Sequence, residues 1–204
     1  MDTGTIELLG SDASPFVRKA RVLVAEAGIT DVPYVQVTAT PMGGEERLNA
    51  ANPLGKIPAL VRESGPTIYD SNVVCRFLDD RADAGLYPKD RLWECLTLEA
   101  TGDGIMEAAV GIVYEKRLRP DELWWNDWFD AQWVKVTRSL DALERQWMSH
   151  LYGPVDMGQI SVACALGYLD LRHGDRNWRS GHDALATWYA RFAERPSMVN
   201  TAPE

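Results

Sequence analysis

Thr5-Ile6-Glu7-Leu8-Leu9-Gly10-Ser11-Asp12-Ala13-Ser14-Pro15-Phe16-Val17-Arg18-Lys19 is the stretch that decides how this chain folds. Residues 5–10 read as a short strand and Ser11-Asp12-Ala13 as a polar turn. From Ser14 a helix runs to about Ala27 and stops at Gly28. Ser14 suits the helix N-cap, because its hydroxyl can accept a bond from an orphan backbone N–H. Pro15 suits the first helical position, where a missing N–H costs nothing. Gly28 suits the left-handed residue just past the end. A hydroxyl therefore sits at the positive end of a helix, at the tip of a strand. Such a place favours an anion, and a thiolate is an anion. Ser14 as a helix cap and nothing more is the other reading of the same residues.

Outward from this unit, Tyr34-Val35-Gln36-Val37-Thr38 alternates with the period of a strand. A polar stretch follows, with a short amphipathic piece at 45–51. Asn52-Pro53-Leu54-Gly55-Lys56 is a turn, and Ile57-Pro58-Ala59-Leu60-Val61 a strand with a proline near its start. A strand proline belongs on a sheet edge or marks a special bend such as a cis bond, and both readings stand. A hairpin loop at 63–66 leads to the short strand Thr67-Ile68-Tyr69. Asp70 or Ser71 then caps a helix to about residue 82. Residues 1–82 form a β-α-β-(α)-β-β-α unit.

Residues 83–89, with Gly85-Leu86-Tyr87-Pro88-Lys89, read as a linker, and residues 90–204 as helices throughout. The first, 90–118, is interrupted by Gly102 and Gly104, where a bend is expected. The second covers 128–151. Asp156-Met157-Gly158-Gln159 has the pattern of a capping box. Residues 160–171 behind it are apolar almost all round, as in a helix at the centre of a bundle. A last helix covers 183–195.

Composition narrows the function. A net charge of −9 argues against nucleic acid or an anionic membrane surface as partner. No stretch reaches the ~18 to 20 apolar residues of a spanning helix. Met1-Asp2-Thr3-Gly4 lacks the features of a signal peptide, so a cytoplasmic location is expected. Cys75, Cys95 and Cys164 have no metal or redox spacing and are expected to be buried. His150, His173 and His182 show no metal spacing, and no metal is expected.

An α/β unit followed by an all-helical one, joined near residue 85, resembles the glutathione S-transferase superfamily. The resemblance covers nearly the whole chain. It is carried by Ser14-Pro15-Phe16-Val17-Arg18-Lys19, by Asn52-Pro53-Leu54-Gly55-Lys56-Ile57-Pro58-Ala59-Leu60, by Asp70-Ser71, by the helix capped at Asp156, and more weakly by Trp188 with Arg195-Pro196-Ser197. Within the family it is most similar to bacterial members with Ser-Pro-Phe at the first helix. The resemblance implies a thioredoxin-like N-terminal domain that binds glutathione, and an all-α helical bundle as the C-terminal domain. It implies a transferase that activates the thiol of glutathione, its co-substrate, for attack on a small electrophile, as in detoxification. It also implies a homodimer, formed through the 70–82 helix and the helix from Asp90.

Residue by residue, the resemblance gives Ser14 the catalytic place facing the glutathione sulfur, with Ser11 as the alternative hydroxyl. Pro58 takes the place of a cis-proline that leaves the Ile57 backbone groups to bind the cysteinyl part. Asp70 would take the γ-glutamyl ammonium, Ser71 its carboxylate, and Lys56 another carboxylate. The electrophile would lie against the helix from Asp90, with Tyr114 as a wall and Trp124, Trp125 and Trp128 as a lip or as packing.

The chain departs from relatives that have Glu at the place of Asp70, Asp at that of Gln159, or Cys at that of Ser14. The last departure removes the nucleophile of disulfide chemistry and leaves conjugation or another glutathione-dependent addition. The alternative function is a non-catalytic glutathione-binding protein or dimeric adaptor of the same fold.

Overall fold

The structure, a computed structural model, describes residues 4–203. The reading of Met1-Asp2-Thr3 as no export signal lies outside the described residues. The chain divides into two compact units, one of the residues up to Lys89 with those from Pro196 on, the other Asp90–Arg195.

In the first unit, β1 (Ile6–Gly10) leads through the 11–14 turn into α1 (Pro15–Glu26). Ser14 Oγ accepts the Val17 N–H at 3.3 Å, and Pro15 opens the helix. Gly28 follows with φ of 64°, the left-handed conformation its position requires. β2 (Tyr34–Gln36) pairs parallel to β1. The polar stretch holds a two-residue ladder, β3 (Ala39–Thr40) with β4 (Gly43–Gly44), before α2 (Glu46–Ala51). This ladder is too short to show a period in sequence. It is pinned by Thr40 Oγ1, which donates to the Gly43 carbonyl at 2.7 Å.

β5 (Ala59–Arg62), β6 (Ile68–Tyr69) and α3 (Ser71–Ala82) follow. The sheet order is β2-β1-β5-β6, with β5 antiparallel to both its neighbours. Leu9 and Ala59 pack with Val37 and with Leu48 of α2. The alternate set, Ile6, Leu8 and Leu60, is buried and turned to the other face. α1 and α3 pack on each other.

In the second unit, α4 (Leu92–Leu118) is a single unbroken helix. Its glycines do not interrupt it, and Gly102 has a reason of its own. A Cβ there would lie 2.4 Å from Ser161 Oγ and 2.6 Å from the Ser161 carbonyl carbon. Glycine is thus what lets the neighbouring helix approach. α5 (Asn126–Ala142) starts two residues before the expected place and passes through a π-helical segment, 143–147, into α6 (Met148–Leu151). α7 (Met157–His173) is buried continuously from Met157 to Leu169, as its all-round apolarity predicts. α8 (Asp183–Phe192) completes this unit, and α9 (Pro196–Val199) belongs to the first.

The capping box at α7 is half formed. Asp156 Oδ1 accepts the Gln159 N–H at 3.2 Å. The Gln159 amide does not return the bond to the Asp156 N–H. It donates instead to the carbonyls of His150 at 3.1 Å and Pro154 at 2.8 Å, closing the preceding turn. The other Asp156 oxygen pairs with His150 and with Arg91, so this buried carboxylate is compensated.

His173 Nε2 lies 3.0 Å from the Ala109 carbonyl, and the ring is buried. Burial, aided by Arg176 and Lys116 and opposed by the Ala109 bond and Asp175, holds its pKa below the usual 6.5. The unfolded chain therefore takes the proton first. Stability from this group is complete above pH 6.5. It is lost as the pH falls from there toward the folded-state value, by at most about 1.4 kcal/mol per pH unit. Urea unfolding at about pH 7.5 and about pH 5.5 measures the loss, and His173→Gln is expected to flatten it.

Candidate functional site

One row of the sheet register assembles the site. Leu9 of β1 faces Ala59 of β5, and Ala59 faces Tyr69 of β6. β1 and β6 run toward this end and β5 runs away from it. The residues after Leu9, before Ala59 and after Tyr69 consequently leave the sheet together. These are the 10–14 loop, Lys56-Ile57-Pro58, and Asp70-Ser71. α1 and α3 both begin here, so two helix N-termini add partial positive charge to one end of the sheet.

In the first loop, Ser11 turns the chain by accepting the Ser14 N–H at 3.0 Å. Val17 donates to Ser14 Oγ, which leaves the hydroxyl proton directed elsewhere. Arg21 of α1 reaches back to the Asp12 carboxylate, with its guanidinium 4.4 Å from the Tyr34 ring centre. The Tyr34 hydroxyl is buried and has no hydrogen bond among the described residues. Burial first, and the Asp12 carboxylate second, hold it protonated.

In the second segment the Ile57-Pro58 bond is cis. β5 starts only at Ala59 and lies between β1 and β6. The reading of Pro58 as an edge-strand proline therefore falls, because the residue is buried ahead of an interior strand. Neither backbone group of the half-buried Ile57 is in a backbone hydrogen bond among the described residues. Lys56 is exposed. Buried Asn52 fixes the turn before it. Its amide donates to the Lys56 carbonyl at 2.7 Å, and its Oδ1 accepts the Leu54 N–H at 3.0 Å.

In the third segment Asp70, not Ser71, caps α3. Its carboxylate accepts the Asn72 N–H at 2.9 Å. Asp70 is exposed, with φ of 72° and ψ of 131°, a conformation costly for a residue with a Cβ. Ser71 is the first helical residue and is buried. Beneath them Lys19 of α1, fully buried, donates from Nζ to Asn72 Oδ1 at 2.7 Å and ties α1 to the start of α3.

Tyr114 is on α4 of the second unit, at its surface. Trp124 and Trp128 both pack edge-on against Phe129. Trp125 is 64% exposed. Cys75, Cys95 and Cys164 are buried. Burial, with the Asp156 carboxylate next in effect, pushes the Cys95 thiol up to about 12, so it is no nucleophile near neutral pH.

Residues 13–81 match the family described as Glutathione S-transferase, N-terminal domain, and residues 126–191 the Glutathione S-transferase, C-terminal domain. The chain is 32% identical over 203 residues to the uncharacterized GST-like protein YibF of Escherichia coli K12, covering 97% of this chain and 98% of that one. It is 43% identical to a glutathione transferase family member from Pseudomonas fluorescens Pf-5 solved with bound glutathione. The TM-score is 0.95, over 98% of this chain and 99% of the other. A Pf-5 family member solved with bound S-(propanoic acid)-glutathione is 42% identical, with a TM-score of 0.89, over 98% of this chain and 100% of the other.

The chain belongs to the glutathione S-transferase family.

This glutathione S-transferase family member has the expected thioredoxin-like unit and helical unit. Three supports of its site escape a reading of motifs alone. Asn52 carries a sequence signal, since Asn before Pro favours a turn. Lys19 carries one as well. It shares the apolar face of α1 with Pro15, Val22 and Leu23, where a lysine is out of place unless its ammonium has a partner. The Arg21–Asp12 pair, nine residues apart, has none, because it exists only once the turn folds back on the helix.

Proposed function

We propose that this protein binds glutathione at the sheet end described above and activates its thiol for attack on a small electrophile. The sheet register supports this reading most directly, since it gathers Ser14, Ile57-Pro58 and Asp70-Ser71 at one end. In this reading residues 1–82 are the glutathione-binding domain, 83–89 the linker and 90–204 the helical domain. Ser-Pro-Phe at α1 supports grouping the protein with the bacterial members that carry Ser-Pro-Phe at their first helix.

The Ser14 oxygen can serve the Val17 N–H while its proton is donated to the thiolate, so capping and activation do not compete. The hydrogen bond and the α1 N-terminus both favour the ionised sulfur. The backbone of Ile57 pairs with the cysteinyl part of glutathione as an added strand. The Ser71 hydroxyl and the α3 N-terminus hold the γ-glutamyl carboxylate. Asp70 holds the ammonium, and Lys56 reaches the second carboxylate. The thiol proton passes to solvent, a sulfur–carbon bond forms at the electrophile, and its leaving group departs with the bonding pair; Tyr114 of the helical unit is the wall residue assigned to that electrophile.

The glutathione and S-(propanoic acid)-glutathione bound by family members about as similar as these support both halves of the reading. A homodimer is part of it. Val73 of α3 and Trp93 of α4, 52% and 76% exposed, are apolar side chains that a second copy would cover. Three buried thiols fit a reducing, cytoplasmic setting.

Calorimetric titration with reduced glutathione, at neutral and at more alkaline pH, tests the proposal. Binding with proton release near neutrality is expected. Binding without it would favour the non-catalytic adaptor, and no binding would leave only the fold.

Asp70→Asn separates the cap from the ligand. Asn is as good a cap as Asp and tolerates positive φ. Thermal stability should hold, while loss of the charge facing the ammonium raises the glutathione Kd about tenfold or more. An unchanged Kd would reduce Asp70 to a cap.

A further inference from the structure

Lys19 is fully buried on the inner face of α1. An ammonium taken out of water is costly unless it is paired. A methionine or leucine would fill the same place without that cost, and apolar replacements of buried charges are often neutral or stabilising. Packing alone therefore gives no reason for a lysine here. The reason lies in what its ammonium holds. Nζ donates to Asn72 Oδ1 at 2.7 Å. Asn72 is exposed, in the first turn of α3. Its backbone N–H donates in turn to Asp70 Oδ1 at 2.9 Å. Two hydrogen bonds thus lead from the interior of the first unit to the Asp70 carboxylate at its surface, and every residue of the chain belongs to that unit.

Asp70 needs such an anchor. Its φ of 72° with ψ of 131° lies outside the regions that a residue with a Cβ prefers. A conformation of this kind persists only where the surroundings over-determine it. On the upstream side the sheet does so, because Tyr69 is paired with Ala59 of β5. On the downstream side α3 must be fixed against the sheet. The Asp70 carbonyl accepts the Val74 N–H at 2.9 Å, which joins Asp70 to the helix but does not say where the helix begins in space. Lys19 supplies that point. It fastens the first turn of α3 to α1, the helix that packs against α3 and carries Ser14 at its cap. The two helix starts that frame the candidate site are thereby held in one register.

We propose that Lys19 is a positioning residue for the γ-glutamyl end of glutathione. Acting through Asn72, it keeps Asp70 in the conformation that offers its carboxylate to an ammonium. It thereby makes the site selective for a peptide whose acyl group carries a free α-amino group. The inference rests on the glutathione reading and deepens it. Lys19 itself touches no substrate, and its effect is confined to the contact that Asp70 makes.

The test uses reduced glutathione and desamino-glutathione, which has hydrogen in place of the α-amino group and is otherwise the same peptide. Calorimetry measures both Kd values for the full-length protein, Lys19→Met, Asn72→Ala and the double variant. The unchanged protein is expected to bind glutathione at least about tenfold more tightly than the desamino peptide, as befits a hydrogen bond between charged groups. Each single variant should cut that preference to about threefold or less. The change should come from weaker glutathione binding, with the desamino Kd within about twofold. The double variant should be no worse than the weaker single, because both substitutions break the same chain. Asn72→Ala is an exposed change in a helix, so it decides the question by itself if Lys19→Met does not fold. A lysine that only supports the fold would weaken both peptides alike and leave the preference intact, and that result overturns the inference. Equal binding of the two peptides by the unchanged protein also overturns it, while glutathione binding stands. No binding of either peptide defeats the glutathione reading, and the positioning role with it.

Discussion

Ser14→Gly is expected to lower kcat/KM for a neutral electrophile by about ten- to a hundredfold near neutral pH, the equivalent of one hydrogen bond to a charged sulfur. Glycine is the informative substitution because it forfeits only a few tenths of a kcal/mol as an N-cap, whereas alanine costs about 1 kcal/mol. Stability and site geometry are thus kept while the hydroxyl is removed. Without that donor the thiol of bound glutathione ionises at higher pH. The acidic limb of the kcat/KM profile should move upward, and the loss should shrink as the solution becomes alkaline. The glutathione Kd should change less than about threefold, because the hydroxyl acts on the thiolate more than on docking. Ser11→Ala is the companion measurement. If it moves the pH profile and Ser14→Gly does not, the active hydroxyl is Ser11. If neither does, the protein binds without activating.

A pair of glycine substitutions two residues apart on α4 should change stability in opposite directions. Gly102→Ala places a methyl 2.4 Å from Ser161 Oγ, 2.6 Å from the Ser161 carbonyl carbon and 2.8 Å from the Val162 nitrogen. Two of these are backbone atoms of the buried α7, so a rotamer change cannot relieve the clash and the helices must separate. Ser161 is also fixed, its hydroxyl 3.0 Å from both the Glu99 carbonyl and Asp103 Oδ1. The expected cost is about 3 kcal/mol or more, at the upper end of overpacking penalties. It outweighs the roughly 1 kcal/mol that alanine gains over glycine inside a helix. At Gly104 nothing lies within 4 Å of the added methyl. There only the helix preference remains, and Gly104→Ala should stabilise by about 0.5–1 kcal/mol. Urea unfolding of the two variants reads the signs. A destabilised Gly104→Ala would mean that α4 needs a flexible point there.

The glycines of α4 show where sequence reading stops. In sequence, Gly102 and Gly104 are the same residue in the same helical pattern, and both suggest a bend. α7 distinguishes them, and it lies more than fifty residues further along the chain. Asp156 and Gln159 show it on a smaller scale. Their spacing announces a helix start correctly, but the Gln159 amide is taken by carbonyls of the preceding turn. Pro58 stood in sequence between an edge and a bend, and the pairing of β5 on both sides removed the edge.

Features determined by the sequence alone are those set by contacts within a few residues. They include the Ser14 cap with Pro15 and Gly28, the helix from Asp70-Ser71, the apolar wrap of α7, and the motif order that marks the family. Their physics is local hydrogen bonding, steric restriction and periodicity, all of which travel with the residues themselves. Tertiary structure decided what depends on distant segments meeting. The Leu9–Ala59–Tyr69 row brings three loops to one end of the sheet. Lys19 fastens α1 to Asn72, and Gly102 admits α7. Burial and register belong to the assembled sheet and bundle, and only there do these residues acquire their partners.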